Sequence, residues 1–196
     1  WFNNGLHNLQ HKAVDAQVIK EKNGNVILTF TVVSQAPNAA RLQSKNGRYD
    51  SGLHTLEESK DRPFGDDDFK FTTNQVWTIY ADGSIELQAA ITSSNPGLVL
   101  ARLGYEIQVP AKMDQLSYYG RGPIDNYNDR KTGQFIEQYK STVADEFVNF
   151  PKPQQMGNHE ETRWVSLTNK AGKGLLVVNE KPYAVSALNH SAMDMT

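Results

Sequence analysis

Apolar and polar residues alternate along most of this chain with a period of two. In LVLARLGYEIQVP (98–110), Val99, Ala101, Leu103, Tyr105, Ile107 and Val109 fall on one side. Arg102, Glu106 and Gln108 fall on the other, the pattern of a half-buried strand. VWTIYADGSIELQAAI is two such runs around Asp82-Gly83, and VIKEKNGNVILTF repeats the arrangement around Asn23-Gly24. Both read as β-hairpins closed by type I′ turns, in which both central residues take positive φ. RWVSLTN, GLLVVNE and YAVSAL are further strands. Two short helices are predicted, one over residues 6–13 and one beginning in the tail NHSAMDMT.

Residues 41–68 are polar and rich in turn formers, and read as short strands joined by long loops. No repeat, low-complexity tract or clear linker interrupts the chain, and 196 residues suit one domain or a pair of small ones; residues 1–196 are expected to form a single domain. Many short strands with Gly and Asn turns predict an all-β, antiparallel sandwich rather than an α/β fold.

Composition narrows the function classes. The 196 residues are 38% hydrophobic, enough for a substantial core, and the net charge is −2. Nucleic acid and anionic membranes call for a basic surplus, so neither partner is expected. No apolar run approaches the ~18 residues of a membrane span. The start, WFNNGLHNLQ, has neither Met nor the form of a signal peptide, so the chain reads as excised from something longer. There is no cysteine, which removes disulfides and thiolate metal sites and leaves the compartment open.

Few residues present themselves for catalysis. His7 and His11 would share a helix face, as in some zinc sites, but no third ligand accompanies them. They read as two surface histidines. Asp66, Asp67 and Asp68 lack the alternate spacing of a calcium loop and read as a solvated turn. No metal site is expected. Glu160 and Glu161 are adjacent, and on an extended strand they point to opposite faces. They cannot then flank one glycosidic bond. Nucleophile elbow, phosphate loop and dinucleotide fingerprint are all absent from the sequence.

The richest chemistry is in YYGRGPIDNYNDR (118–130). Gly120, Gly122 and Pro123 predict a tight turn around Arg121. Asp125, Asn126, Tyr127, Asn128, Asp129 and Arg130 then offer carboxylate, amide, phenol and guanidinium groups. These suit sugar hydroxyls, with a tyrosine ring for an apolar sugar face. They equally suit one another and the backbone, in which case they hold a long loop rigid. Burying an unpaired charge is costly, so Arg121, Asp129 or Arg130 is expected to be mostly buried and paired.

Three ordered motifs carry a resemblance. YYGRGPIDNYNDR resembles the Y-G-R-G-P-x-E-N-Y-x-D-R stretch of the C-terminal, small-chain domain of glycoside hydrolase family 2 β-galactosidases. Upstream, ARLGYEIQVP is similar to that family's R-x-G-x-x-x-x-x-P strand. Downstream, PKPQQMGNHEETRWVSLTN is similar to its P-Q-E-x-G-N-x-x-x-x-R-W-x-x-L-x-N segment. The strong match covers roughly residues 100–190. Asp125 and Gln155 stand where the family usually has Glu, the first shortening the reach by one methylene and the second removing a charge.

The resemblance implies a β-supersandwich like that of galactose mutarotases, truncated here at both ends. It implies a non-catalytic role beside a barrel that carries the two catalytic glutamates of a retaining β-galactosidase. Arg121, Asp125, Asn126, Tyr127, Asp129 and Arg130 are the implied carbohydrate-contacting positions. The expected partners are the other domains of the same chain, a galactoside through the parent enzyme, and a second copy in a homo-oligomer. The family's Mg or Na sites lie in other domains, so no cofactor is expected here. The alternatives are an independent carbohydrate-binding module and a mutarotase- or epimerase-like domain. A domain cut from a larger enzyme should expose apolar surface or a free sheet edge. Trp164, at the start of an apolar strand, is expected in the core.

Overall fold

A computed structural model describes residues 2–44, 54–148, 150–151 and 155–190. The chain is all-β. Its described strands are β1 (Gln10–Lys20), β2 (Val26–Gln35), β3 (Asn38–Ser44), β4 (His54–Pro63), β5 (Phe71–Ile79), β6 (Ile85–Ser93), β7 (Gln115–Gly122), β8 (Phe135–Thr142), β9 (Asn158–Thr168) and β10 (Gly174–Ser186). The helix among the described residues is the single 3₁₀ turn Phe2–Asn4. Contacts divide the chain into two compact units, Trp1–Leu103 and Gly104–Thr196.

In the first unit β1-β2-β5-β6 form a four-stranded antiparallel sheet, and β3 and β4 pair separately. Register sets which side chains share a face. Val18, Leu28, Trp77 and Leu87 stand opposite one another across the four strands, with Lys20, Val26, Ile79 and Ile85 two residues along. The alternate rows mix polar and apolar residues: Ile19, Ile27, Thr78, Glu86, then Gln17, Thr29, Val76, Gln88, then Asp15, Thr31, Asn74, Ala90. Thr31 donates from its hydroxyl to Asn74 across that face at 3.0 Å. Ala36, Ala39, Ala40, Phe69 and Phe71 are buried in this unit, and the two phenylalanine rings meet edge-on at 5.0 Å.

In the second unit β10-β9-β7-β8 form the other antiparallel sheet. Leu116, Tyr118, Val143, Val165 and Ala187 are its core, with Tyr139, Leu167, Val177, Tyr183 and Val185 packed around them. Trp164 is not among them. It is half-buried on the opposite face, because it neighbours the inward Val165 on an extended strand.

Several expectations need correction. Residues 6–13 do not form a helix. The chain turns through His7, and β1 begins at Gln10, with His11, Lys12 and Ala13 paired to Ser34, Val33 and Val32. A two-turn helix is marginal in water, and the ladder on β2 outweighs it. His7 and His11 therefore share no helix face, and His11 Nδ1 lies 2.7 Å from the Ser34 hydroxyl. Residues 98–110 form no strand despite their alternation, and Leu103, Tyr105 and Ile107 are all more than half exposed. Alternation decides which side chains share a face, but a strand also needs a neighbour for its backbone groups. Of the polar stretch 41–68, β3 and β4 are the expected short strands, and 45–53 lie outside the described residues. The tail helix falls mostly on 191–196, also outside them.

The hairpin turns differ from expectation in type. Glu21 N donates to Asn25 O (2.9 Å) and Gly24 N to Glu21 O (3.2 Å). Tyr80–Ser84 repeats this at 2.9 and 3.0 Å, and Asn169–Lys173 at 2.9 and 2.9 Å. Gly24, Gly83 and Gly172 have φ of 91°, 88° and 75°, while the residues before them do not take positive φ. Each is thus a three-residue loop with one left-handed glycine. Nothing lies within 4 Å of a Cβ built on Gly83 or Gly65, and only Gly83 has positive φ. Gly83→Ala should therefore cost about 1–2 kcal/mol of stability through backbone strain alone, and Gly65→Ala close to nothing. Urea unfolding of the two variants beside the parent chain measures the difference.

Candidate functional site: the loop after β7

The last residues of β7 are shaped by what lies against them. A Cβ on Gly120 would meet Thr162 Oγ1 at 2.5 Å and its Cα at 2.9 Å. A Cβ on Gly122 would meet the Tyr118 hydroxyl at 2.5 Å and the Tyr139 ring at 2.9 Å. The two glycines thus permit close approach within an extended strand, rather than forming the tight turn expected of them. The turn comes later, after the cis Gly122-Pro123 bond. The Tyr118 hydroxyl donates to Pro123 O at 3.2 Å, and burial pushes this phenol well above its ordinary range, helped by the charge of Glu146.

Asn126, fully buried, ties the loop together. Its Nδ2 donates to Arg121 O (2.8 Å), Ile124 O (3.0 Å) and Gln134 Oε1 (2.9 Å). Its Oδ1 accepts from Glu160 N at 2.7 Å. Its backbone N donates to Asn158 O, and its carbonyl accepts from Asn158 Nδ2, both at 2.7 Å. One residue, through its side chain and its backbone, thereby fixes the loop to the start of β9.

Arg121 leaves the same strand end. Nη2 donates to both Glu161 oxygens at 2.9 Å, and Nη1 donates to Gln134 O at 2.7 Å. Glu161 is aimed there by an irregularity in β9. Its φ is 53°, the one positive value at a non-glycine among the described residues, where the β9–β10 register shifts. Lys131 Nζ stands 3.4 Å from Glu161 Oε1. The Arg121 hydrogen bonds, then the charges of Arg121 and Lys131, hold the Glu161 carboxyl below its usual range.

The remaining candidates divide by direction. Asp125 is buried, and Oδ1 accepts from Arg130 Nη2 at 3.0 Å. Tyr127 and Arg130 bond each other through N and O in both directions, leaving Asn128 and Asp129 at the tip. The Arg130 guanidinium, half exposed, sits 5.5 Å from the Tyr127 ring centroid. Asp129 is exposed. The expected burial and pairing thus holds for Arg121, whereas Arg130 is paired but half exposed, and Asp129 is outward.

Sequence reasoning missed the partners. His159 is buried beneath the loop, its ring stacked on Tyr118 at 4.1 Å. Its Nε2 lies 2.7 Å from Glu146 Oε2 and its Nδ1 3.2 Å from Arg121 O. The ring thus bridges the Arg121 carbonyl and the Glu146 carboxyl. Glu160 and Glu161, unsuited as a catalytic pair, clamp the loop instead, through Glu160 N to Asn126 Oδ1 and the Glu161 carboxylate to Arg121. The signal was present in the density of polar residues in GNHEETRW, facing an equally polar loop. The aspartate run is a turn held by Asp68, which bonds Gly65 N and pairs with Arg62, each at 2.9 Å. No group of three or more His, Cys, Asp or Glu among the described residues is placed to hold a metal.

These features define an all-β, antiparallel domain whose polar loop is tied into its own scaffold. The chain belongs to the β-galactosidase small-chain family, whose model matches residues 1–196. It is 31% identical over 120 residues to a β-galactosidase of Priestia megaterium, covering 61% of this chain and 12% of that one. It is 34% identical over 92 residues to β-galactosidase BgaC of Bifidobacterium adolescentis, covering 45% and 9%. A β-galactosidase of Kluyveromyces lactis is 31% identical over 117 residues, covering 59% and 11%. The chain thus spans about an eighth or less of the relatives it matches.

Asn126→Ala should cost about 2–4 kcal/mol, because it strands several buried carbonyl and amide groups, while Asp129→Ala should stay within about 0.5 kcal/mol of the parent. Denaturant unfolding compares them. The Arg121–Glu161 pair also predicts a pH dependence. Its folded pKa lies below the unfolded value, so its stabilisation is present above about pH 4.5 and is lost as pH falls through the depressed folded value. Glu161→Gln should be the less stable protein near pH 6, with the gap closing toward about pH 3. Unfolding midpoints across that range measure it.

Proposed function

We propose that this chain is the non-catalytic small-chain domain of a β-galactosidase that hydrolyses terminal β-galactosides with retention. Family membership gives the class, and the hydrogen-bond pattern of the loop supports the non-catalytic role. Arg121, Asp125 and Asn126 build the loop, and Glu160 and Glu161 clamp it. The two neighbouring glutamates are engaged with Asn158 and Arg121. The nucleophile and the acid/base of a retaining glycosidase must flank one bond about 5 Å apart, free to reach it. In this reading they come from elsewhere in the enzyme, as do its metal ions.

Asp129 and Arg130 face outward and are the groups through which the loop would line the sugar pocket, while Tyr127 is partly buried with its hydroxyl turned inside. A pocket buries most of its ligand, and a single loop supplies one wall. The chain alone should therefore bind galactose or lactose with a Kd of about 1 mM or weaker, close to 4 kcal/mol of binding free energy. It should not cleave a nitrophenyl galactoside. Isothermal titration and a turnover assay on the purified chain test both. Micromolar affinity abolished by Arg130→Ala would favour an independent carbohydrate-binding module, and turnover abolished by a substitution within the chain would refute the non-catalytic role.

A further inference from the structure

The three hairpin loops closed by Gly24, Gly83 and Gly172 share one form and differ in the residue before the glycine: Asn23, Asp82 and Ala171. Asn23 is held by both ends of its amide. Its Oδ1 accepts from Asn25 N at 3.0 Å, and its Nδ2 donates to Glu21 Oε2 at 3.2 Å. Asn23 and Gly24 are both exposed. Gly24 N donates to Glu21 O at 3.2 Å, where the equivalent bonds of Gly83 and Gly172 are 3.0 and 2.9 Å. The amide beside Asn23 is therefore the most loosely held of the three.

We propose that Asn23 is a self-modification site, at which the chain deamidates through its own Gly24 nitrogen. The site stands apart from the sugar chemistry and does not depend on the β-galactosidase reading. Gly24 N loses its proton to solvent and attacks Asn23 Cγ. The N–Cγ bond forms, the Cγ–Nδ2 bond breaks, and the side-chain nitrogen takes up a proton and leaves as ammonia. Water then opens the five-membered imide at either carbonyl, giving an aspartyl or an isoaspartyl residue. Glycine has no Cβ to obstruct the approach. Asn25 N already donates to the oxygen on which negative charge develops, as an oxyanion donor does. Glu21 fixes the orientation of the nitrogen that departs. The product carries a new carboxylate beside that of Glu21, and its isoaspartyl form lengthens the main chain by one carbon inside a three-residue loop. Asn25 Oδ1 accepts from Ala81 N at 3.2 Å, so the disturbance reaches the β5–β6 turn as well.

Two neighbouring dipeptides serve as controls. Asp82-Gly83 has the same loop, but ring closure there needs a protonated carboxyl. Hydrogen bonds from the Ser84 hydroxyl and then its amide hold Asp82 below its ordinary range and keep it ionised. Asn4-Gly5 is the other Asn-Gly pair among the described residues, and there the glycine is buried. Gly5 N donates to Phe2 O at 2.9 Å, and its Cα lies against Ala36 and Phe64, which leaves the main chain no room to turn.

The purified chain, native and in concentrated urea, is incubated in mildly alkaline buffer. Its peptides are then mapped by mass and by isoaspartyl methyltransferase labelling. In the native chain the Asn23 peptide should convert about tenfold faster or more than those holding Asn4 and Asp82, and in urea Asn4 should draw level with Asn23. No native conversion at Asn23, or equal native rates at Asn4 and Asn23, overturns the proposal. Asn4 remaining slow in urea overturns it too, since the selectivity then lies in local sequence and not in the fold. Gly24→Ala should lose the conversion, and conversion at the parent rate in that variant refutes attack by the Gly24 nitrogen. Gly24 has the same left-handed φ as Gly83, so the variant is strained, and the comparison within the parent chain stands whether or not it folds.

Discussion

The buried amide of Asn126 is the interaction on which the second unit's loop depends. It must donate to backbone carbonyls of its own loop and accept from a backbone amide of β9 at once. Only a primary amide of this length presents both donors and an acceptor on one short arm. A carboxylate would face carbonyl oxygens that repel it, and an aliphatic side chain would leave them without partners in a dry site. Because the Arg121 carbonyl also faces His159, the same oxygen links the loop, β9 and the buried Glu146. The positions of Asp125, Tyr127 and Arg130 follow from this one anchor.

The loop also shows why a list of chemically able residues is a weak guide to a binding site. Groups that satisfy sugar hydroxyls satisfy backbone carbonyls equally well. Of the candidates, Arg121, Asp125 and Asn126 turn inward, Asp129 and Arg130 turn outward or stay half exposed, and Tyr127 is partly buried with its hydroxyl inside. The division follows the local turn rather than residue type, since one arginine and one aspartate fall in each set.

Features decided within a few residues were legible in the sequence. The hairpins around Asn23-Gly24 and Asp82-Gly83, and the strands β9 and β10, stand where period and turn residues put them. The turn type was missed because Asn-Gly and Asp-Gly serve both a two-residue turn and a three-residue loop with a left-handed glycine. The long alternation of 98–110 was legible as a pattern and misleading as a strand, since the pattern carries no information about a neighbour. What lay beyond reach was long-range. Glu146 and His159 are 13 residues apart, Arg121 and Glu161 are 40 apart, and the reversal at Glu161 that brings the second pair together has no local mark.

The three glycine-closed turns bear on the order of assembly. Each joins strands adjacent in sequence, β1 to β2, β5 to β6 and β9 to β10, so three pairings close over the shortest loops available and can form within about 1–10 μs. The pairings that complete the sheets are of another kind. β2 meets β5 only after the β3–β4 excursion, and β7 meets β9 only after β8 and the segment that follows it. Loop-closure entropy and register search fall on those two contacts, which makes them the slow and error-prone steps. During synthesis the first two hairpins can form before β7 has emerged, each holding an unpaired apolar edge until its partner arrives.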